Sequence, residues 1–419
     1  DVPELLQLDY GTSLMLTIMV IGALGASYAI LGGLRAVAVS DTLNGVGLLV
    51  VGVSVPWLGL QALGEGSVGA GFNIVLTTET HKLNAIGGPT DPTPFATLFT
   101  GMVFANLFYW CTNQYVIQRT LAARSLAEGQ KGVLLSGFFK VLVPLLMMIP
   151  GVVAYHLYGP ELQSIDLAYP QLVRDVLPVY ATGFFLAVLL GAVLSSFNSL
   201  INSASTLFCI DVYQPFVGRL VSDAEMVRVA KRVGLVMTGF SLLVAPLLQF
   251  AAEGLWQVIR IFTGFYNIPM IAIVIIGLFT RQVPAVAAKV VIVFHIVAYG
   301  TFQFVLKDLL PVHFLHLYAI LFVLEVAMML AIGFWRPRRE GVAIRHSAKV
   351  DLTPWAYAQP CAVTLLSCVV ALYVVFSTIG LVGDGSNLFA PVLLGLLALN
   401  VLFWFGWHRR LTAGLGAHA

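Results

Sequence analysis

Apolar residues run through this chain in long blocks, separated by short polar stretches. A block of about 20 apolar residues matches the hydrocarbon core of a bilayer. Lipid offers backbone amides no water, so such a block must close its own hydrogen bonds as a helix. The alternation of a membrane β-barrel is absent. The pattern predicts eleven spans, near 12–32, 42–63, 94–118, 132–157, 178–210, 233–250, 255–279, 284–306, 314–335, 358–381 and 388–407. The fold class expected is therefore an all-α integral membrane protein. Pro144 and Pro150 interrupt the fourth span and Pro269 the seventh. Kinks there would free carbonyls for neighbours or a cavity, although proline is frequent in membrane helices anyway.

Composition agrees. The 419 residues are 59% hydrophobic and 10% charged, against about 25% charged in a soluble domain. A soluble fold has no place for so much apolar surface, which makes the lipid bilayer a partner. A net charge of +2 gives no ground for binding nucleic acid. Cys111, Cys209, Cys361 and Cys368 fall in or beside apolar runs and are expected as free thiols. Residue 1 is Asp and the first run starts near Gly11, so the chain reads as a piece of something longer.

The loops alternate in charge. One set holds Arg35, then Arg119, Arg124 and Lys131, then Arg219, Arg228, Lys231 and Arg232. It continues with Arg281, with Arg336, Arg338, Arg339, Arg345 and Lys349, and with Arg409 and Arg410. The other set holds only Lys82, Arg174 and Lys307. Basic loops stay in the cytoplasm. That puts segment 1–11 outside and the C-terminus inside, as an odd number of spans requires. The membrane would be a plasma membrane or a bacterial inner membrane. The stretch 336–357 reads as a basic cytoplasmic linker between a core, 1–335, and a C-terminal helix pair with its tail, 358–419. Nothing points to an obligate protein partner.

Enzyme motifs fail on context. Gly64-Glu-Gly66-Ser-Val-Gly69 fits a nucleotide-binding spacing but leads from a span into an outer loop, not through a βαβ unit. His313 and His316 share a helix face at the outer end of the ninth span, where an interfacial role is expected rather than metal. Polar residues inside spans say more, because they are costly there. The fifth span carries Ser195, Ser196, Asn198, Ser199, Asn202, Ser203 and Ser205, with Ser195, Ser199 and Asn202 on one stripe. Hydroxyl and carbonyl oxygens suit a small hard cation such as sodium. Serines also pack helices together and bond back to carbonyls one turn earlier, and the spacing leaves both readings open.

The third span carries Asn106, Tyr109, Trp110, Thr112, Asn113 and Gln114. Amides beside aromatic faces suit a sugar, whose hydroxyls need hydrogen bonds and whose C–H face needs a flat surface. Trp110 lies on the order of 13 Å deeper than Arg119, so an interfacial belt does not account for it. Lys140, Arg260 and Glu325 lie within spans. The two cations can snorkel; Glu325 is too deep to do so and is expected to face protein. Asp41 opens the second span, where a carboxylate suits the helix dipole.

At these positions the sequence resembles the sodium/solute symporter family, most closely its sodium/sugar branch. Three blocks carry the resemblance. One is Asn106-Leu-Phe-Tyr-Trp-Cys-Thr-Asn-Gln-Tyr-Val-Ile-Gln118-Arg119-Thr-Leu-Ala-Ala. The second is Leu194-Ser-Ser-Phe-Asn-Ser-Leu-Ile-Asn-Ser-Ala-Ser-Thr-Leu-Phe-Cys-Ile-Asp211-Val-Tyr213. The third is Tyr28-Ala-Ile-Leu-Gly-Gly-Leu-Arg-Ala-Val-Ala-Val-Ser-Asp41. The resemblance reaches to about residue 335. It implies a LeuT-like inverted-repeat fold, here N-terminally truncated. It implies a main sodium site drawing on the Ala192 carbonyl, Ser195 and Ser196. Asp41 with Asn198 and Ser199 falls where some members bind a second sodium. Asn106 and Lys140 correspond to sugar contacts and Tyr109, with Trp110 beside it, to an inner gate that stacks on the sugar.

The chain departs from that pattern twice. Four early spans are absent, among them the broken helix with the remaining sodium ligands, so the piece is expected to be incompetent alone. Sugar carriers also place a glutamine where this chain reads Ile259-Arg260-Ile261. Arginine only donates hydrogen bonds and is charged, so Arg260 joins the candidate solute contacts. The function expected is sodium-coupled symport of a small polar solute, foremost a sugar. The alternatives are an anionic or polyol solute (carboxylate, sialic acid or inositol type), or a sensor that keeps the fold without flux.

Overall fold

The computed structural model describes residues 8–162, 165–218, 221–250, 255–307, 309–310, 312–338, 350–383 and 387–416. Arg219, Arg339, Arg345 and Lys349 of the basic loops lie outside the described residues. Among the described residues the chain is helical apart from turns and one isolated bridge, Ser125 with Asp351. Nine helical stretches among them are long and apolar enough to cross a membrane.

The longer helices in chain order are α1 (Tyr10–Leu63), α2 (Val68–Thr77), α3 (Gly101–Cys111), α4 (Gln114–Leu121) and α5 (Leu126–Val143). Then come α6 (Ile149–Tyr158), α7 (Ala168–Val176), α8 (Val179–Leu207), α9 (Asp223–Val244) and α10 (Leu255–Phe279). The last are α11 (Ala285–Thr301), α12 (Phe314–Trp335), α13 (Ala358–Val375) and α14 (Phe389–Gly416). Local sequence sets several boundaries. Ser125 and Ser222 each accept the backbone N–H of the glutamate three residues on, Glu128 and Glu225, so two serine caps start α5 and α9. The Asp9 carboxylate caps α1 through the Thr12 N–H and hydroxyl, and those bonds hold it below the usual carboxylate range.

Two expectations need correction. The runs 12–32 and 42–63 form one continuous helix of 54 residues, without the cytoplasmic loop in which Arg35 was expected. Glycine lowers helix propensity by about 1 kcal/mol but keeps its N–H, so it does not by itself end a helix. Within α1, Val39–Leu63 is long and apolar enough to cross a membrane. The run 94–118 is not one continuous helix. It breaks into a 3-10 turn at Phe95–Phe99, then α3, then α4, with Thr112 and Asn113 as the joint. Thr112 turns its hydroxyl back onto the Phe108 carbonyl at 2.9 Å, and Asn113 is extended. Of the prolines, Pro144 opens a π turn, Pro150 sits in the first turn of α6, and α10 continues across Pro269.

The chain folds as two compact units. The first comprises Asp1–Gly71, Gln114–Arg119 and Ile149–Leu255. In it α1 runs along α8, α9 packs on both, and α6 and α7 pack on α1. The approach of α1 to α8 depends on small residues: a Cβ on Gly47 would meet Val188, and one on Gly191 would meet the Asn44 amide. Val55, Val153, Ala154 and Leu172 form its buried core. The second unit comprises Phe72–Asn113, Thr120–Met148 and Trp256–Ala419. Its core joins Ile268 of α10, Tyr299 of α11 and Leu315, Tyr318 and Leu321 of α12. There α3 packs on α12, and α13 packs on α14 and α5.

Candidate functional site

In the first unit, α1 and α8 bring Asp41 against the serine stripe. The Ser195 hydroxyl donates to one Asp41 carboxylate oxygen. Arg119, from α4, donates from Nη2 to the other oxygen and to Ser199 Oγ at 2.7 Å. Ser199 in turn donates to the Ser195 carbonyl at 2.9 Å. Asp41 and Arg119 are only partly exposed, 20% and 34% by side chain, so this ion pair is better shielded than an open surface pair. Arg119 Nη1 also reaches the Tyr115 carbonyl at 3.4 Å. The grouping joins two residues of the expected second sodium set, Asp41 and Ser199, with Ser195 of the main set. It also adds Arg119, a basic residue of the cytoplasmic loop set that the structure places in α4.

Asn198, the third residue of the second set, is 1% exposed, and both polar atoms of its amide are without a hydrogen-bond partner. An unmet polar group of this kind costs about 1–3 kcal/mol. Ala192 and Ser196 lie on the same helix, Ala192 half-buried and Ser196 exposed. Ser195 faces Asp41, and its neighbour Ser196 is rotated about 100° around the helix. Among the described residues no three His, Cys, Asp or Glu side chains gather as for a transition metal. The donors present are hydroxyl, carboxylate, amide and carbonyl oxygens, the chemistry of a hard cation.

The second unit holds the solute candidates. Asn106, Tyr109 and Trp110 recur at helical spacing on one face of α3. All three are exposed; Asn106 Nδ2 donates to the Met102 carbonyl at 2.8 Å. Tyr109 and Trp110 meet edge to face at 5.2 Å. Lys140, in the last turn of α5, sets its ammonium 4.5 Å from the Trp110 ring centroid and 5.9 Å from that of Tyr109. Lys140, Tyr109 and Trp110 are thus brought together. Arg260 lies at the other end of α3: it donates to Thr93 Oγ1 at 2.8 Å, touches Met102 Sδ at 3.5 Å and stands 5.6 Å from the Phe314 ring centroid. Among the described residues neither Lys140 nor Arg260 has an acidic partner.

Other polar residues of α12 have structural work. His313 caps the helix by accepting the Leu315 N–H at 3.3 Å, and His316 bonds Thr100 at 2.9 Å. Glu325 does face protein: its carboxylate meets His295 Nδ1 at 2.5 Å, and both side chains are fully buried. The sequence reading missed His295. An acid at mid-membrane depth signals a partner but does not say on which helix.

Comparison with known proteins adds the family. The sodium:solute symporter family model matches residues 3–291. The uncharacterized symporter YidK of Escherichia coli (strain K12) is 40% identical over 411 residues, covering 98% of this chain and 71% of that protein. The sodium/glucose cotransporter of Vibrio parahaemolyticus is 30% identical, covering 68% of this chain and 56% of its own length. Sodium/glucose cotransporter 1 of Ovis aries is 28% identical, with 79% and 57% covered. The chain therefore spans just over half the length of these two cotransporters. Among solved structures, a substrate-bound, outward-open Na+-coupled sialic acid symporter aligns with a TM-score of 0.66 at 20% identity. That alignment covers 78% of this chain and 68% of the other. A likeness at that identity speaks for the fold, the LeuT-like one.

Proposed function

Because the chain belongs to the sodium:solute symporter family, we propose that it serves sodium-coupled symport of a small polar solute, foremost a sugar. The observation that carries this is Asn198, a buried amide of α8 with no partner, beside Ser195, which donates to the Asp41 carboxylate. Sodium on these oxygens would offset the cost of burying them. We assign Ser195, Ser196 and the Ala192 carbonyl to a main ion site, and Asp41, Asn198 and Ser199 to a second. At the second, Arg119 already neutralises Asp41, so an ion there must share or displace that guanidinium. On the solute side, Trp110 and Tyr109 offer the faces on which a sugar ring stacks, with Asn106 and Lys140 as hydrogen-bonding groups. The basic loops, Arg124 with Lys131, Arg228 with Arg232 and Arg409 with Arg410, mark the cytoplasmic side.

The test is uptake by the protein in proteoliposomes, measured against sodium concentration. Ser196→Ala removes one oxygen from a small-cation site, so the half-saturating sodium concentration should rise several-fold at unchanged expression. An unchanged sodium dependence removes α8 from ion binding.

A second reading is favoured by Lys140 and Arg260, two cations within membrane helices that lack acids among the described residues. An anionic solute, such as an acidic sugar, would supply the missing charge. Membership of a symporter family supports transport over enzymatic chemistry.

A further inference from the structure

The two C-terminal helices form an open groove of about 800 Å³. Its walls are Ala371 and Cys368 on α13 and Leu393, Leu397 and Phe405 on α14. The polar groups at its middle are turned onto one another. Trp404 Nε1 donates to Thr364 Oγ1 at 2.9 Å, Thr364 donates to Asn400 Oδ1 at 2.8 Å, and Asn400 Nδ2 donates to the Leu396 carbonyl at 3.3 Å. Ser367 bonds the Val363 carbonyl at 2.9 Å. A visitor therefore meets an apolar wall with its hydrogen bonds already made, which suits a hydrocarbon chain and not a polar solute.

Charge at the two ends differs sharply. Between Leu352 and His408 the sequence holds one charged residue, Asp384; then His408, Arg409 and Arg410 follow in succession. His408 lines the end of the groove. The Arg409 guanidinium lies on the Phe405 ring at 4.3 Å, and neither arginine has an acidic partner among the described residues. Aromatic rings gather at the same end. Tyr357 stacks on Trp404 at 6.0 Å, and Trp407 donates to the Ala356 carbonyl at 2.8 Å. Tyr and Trp collect at the headgroup level of a bilayer, which puts the two arginines where headgroup phosphates lie. Basic residues beside an intramembrane groove match anionic lipid.

We infer that the α13–α14 groove is a binding site for an anionic phospholipid of the surrounding leaflet, its acyl chain along Leu393–Phe405 and its phosphate held by Arg409 and Arg410. This is independent of which solute the protein carries.

Native mass spectrometry of the full chain tests it, with phosphatidylglycerol and phosphatidylcholine of identical acyl chains as probes. The unmodified protein should retain phosphatidylglycerol preferentially after detergent exchange. Arg409→Gln/Arg410→Gln should lower that preference by about five-fold per arginine. Arg336→Gln/Arg338→Gln removes equal charge elsewhere and should leave it unchanged. Ala371→Phe fills the groove without touching charge and should reduce retention of both lipids. Equal retention of the two lipids, an equal loss in both charge variants, or full retention by Ala371→Phe would each overturn the site. So would a dimer whose formation empties the groove of lipid, since a second copy would then be the occupant. Circular dichroism of each variant separates lost binding from lost folding.

Discussion

Glu325 and His295 form a buried pair through one carboxylate oxygen, and the other, Oε2, has no partner among the described residues. The Gly264 carbonyl, 2.8 Å from His295 Nε2, can only accept, so Nε2 carries a hydrogen. Nδ1 and the Glu325 carboxylate then share a single proton across 2.5 Å. The pair is neutral overall wherever that proton sits, which is how two ionisable groups tolerate full burial. Breaking it is costly, because the survivor keeps its polarity and loses its partner. Glu325→Leu should destabilise the protein by about 3–5 kcal/mol, and His295→Leu/Glu325→Leu should recover much of that loss. Thermal unfolding in detergent reads both, and a double variant no better than Glu325→Leu would show that the pair is not the reason. His313 behaves differently because it lies outside the spans. Burial, then the charges of Arg260 and His316, hold its imidazole below the usual histidine range. A depressed pKa favours the fold above the unfolded value of about 6.5 and loses that advantage as pH falls. Stability should therefore drop on acidification from about pH 7 to 5, and His313→Gln should flatten that part of the profile.

Helix α10 shows how a membrane helix is held by its neighbours. Three of its carbonyls accept side-chain donors from other helices: Arg260 from Tyr318 at 2.7 Å, Ile261 from Tyr299 at 3.0 Å and Gly264 from His295 at 2.8 Å. Each carbonyl has a second lone pair, so the helix keeps its own bonds and gains cross-links. Proline at 269 suggested a break, yet the cross-linked carbonyls lie upstream of it and α10 continues. Room for the two tyrosines comes from Gly264, where a Cβ would run into the hydroxyls of Tyr318 and Tyr299. Gly264→Ala should cost about 1–3 kcal/mol through overpacking, and Tyr318→Phe in that background should return part of it. No loss in Gly264→Ala would mean that the tyrosines have space to withdraw.

For the molecule as a whole, Arg260 bears on the charge of the proposed solute. Arg260 holds its backbone carbonyl and its guanidinium in different tasks. The carbonyl cross-links α10 to α12, while among the described residues the guanidinium bonds Thr93 and Met102 and faces the Phe314 ring. Arg260→Gln should therefore leave the helix contacts intact and act on selectivity. Competition uptake should shift from an anionic toward a neutral sugar by roughly ten-fold or more, since losing a charged hydrogen bond costs about 1.5–3 kcal/mol. Arg260→Lys keeps the charge but loses the planar fork and should impair transport. Unaltered selectivity in both variants would leave Arg260 as a snorkelling cation and favour the simple sugar.

Length and composition alone determined the class of this protein. A run of about 20 apolar residues has one stable form in lipid, and that is a local property readable without neighbours. Family membership was legible too, in blocks of consecutive residues around Asn106 and Leu194. Tertiary structure decided the pairings. Asp41 finds Arg119 at a sequence separation of 78, and His295 finds Glu325 at 30. Nothing local distinguishes Arg119 from the other basic residues of its loop set. The same holds for the joint between 12–32 and 42–63: glycine beside an arginine is compatible with a turn or a helix, and here the helix continues through. Hydrophobic run length is a property of one segment, whereas a partner depends on which faces of two segments meet. Periodicity places a side chain on a face, but only packing decides what that face touches.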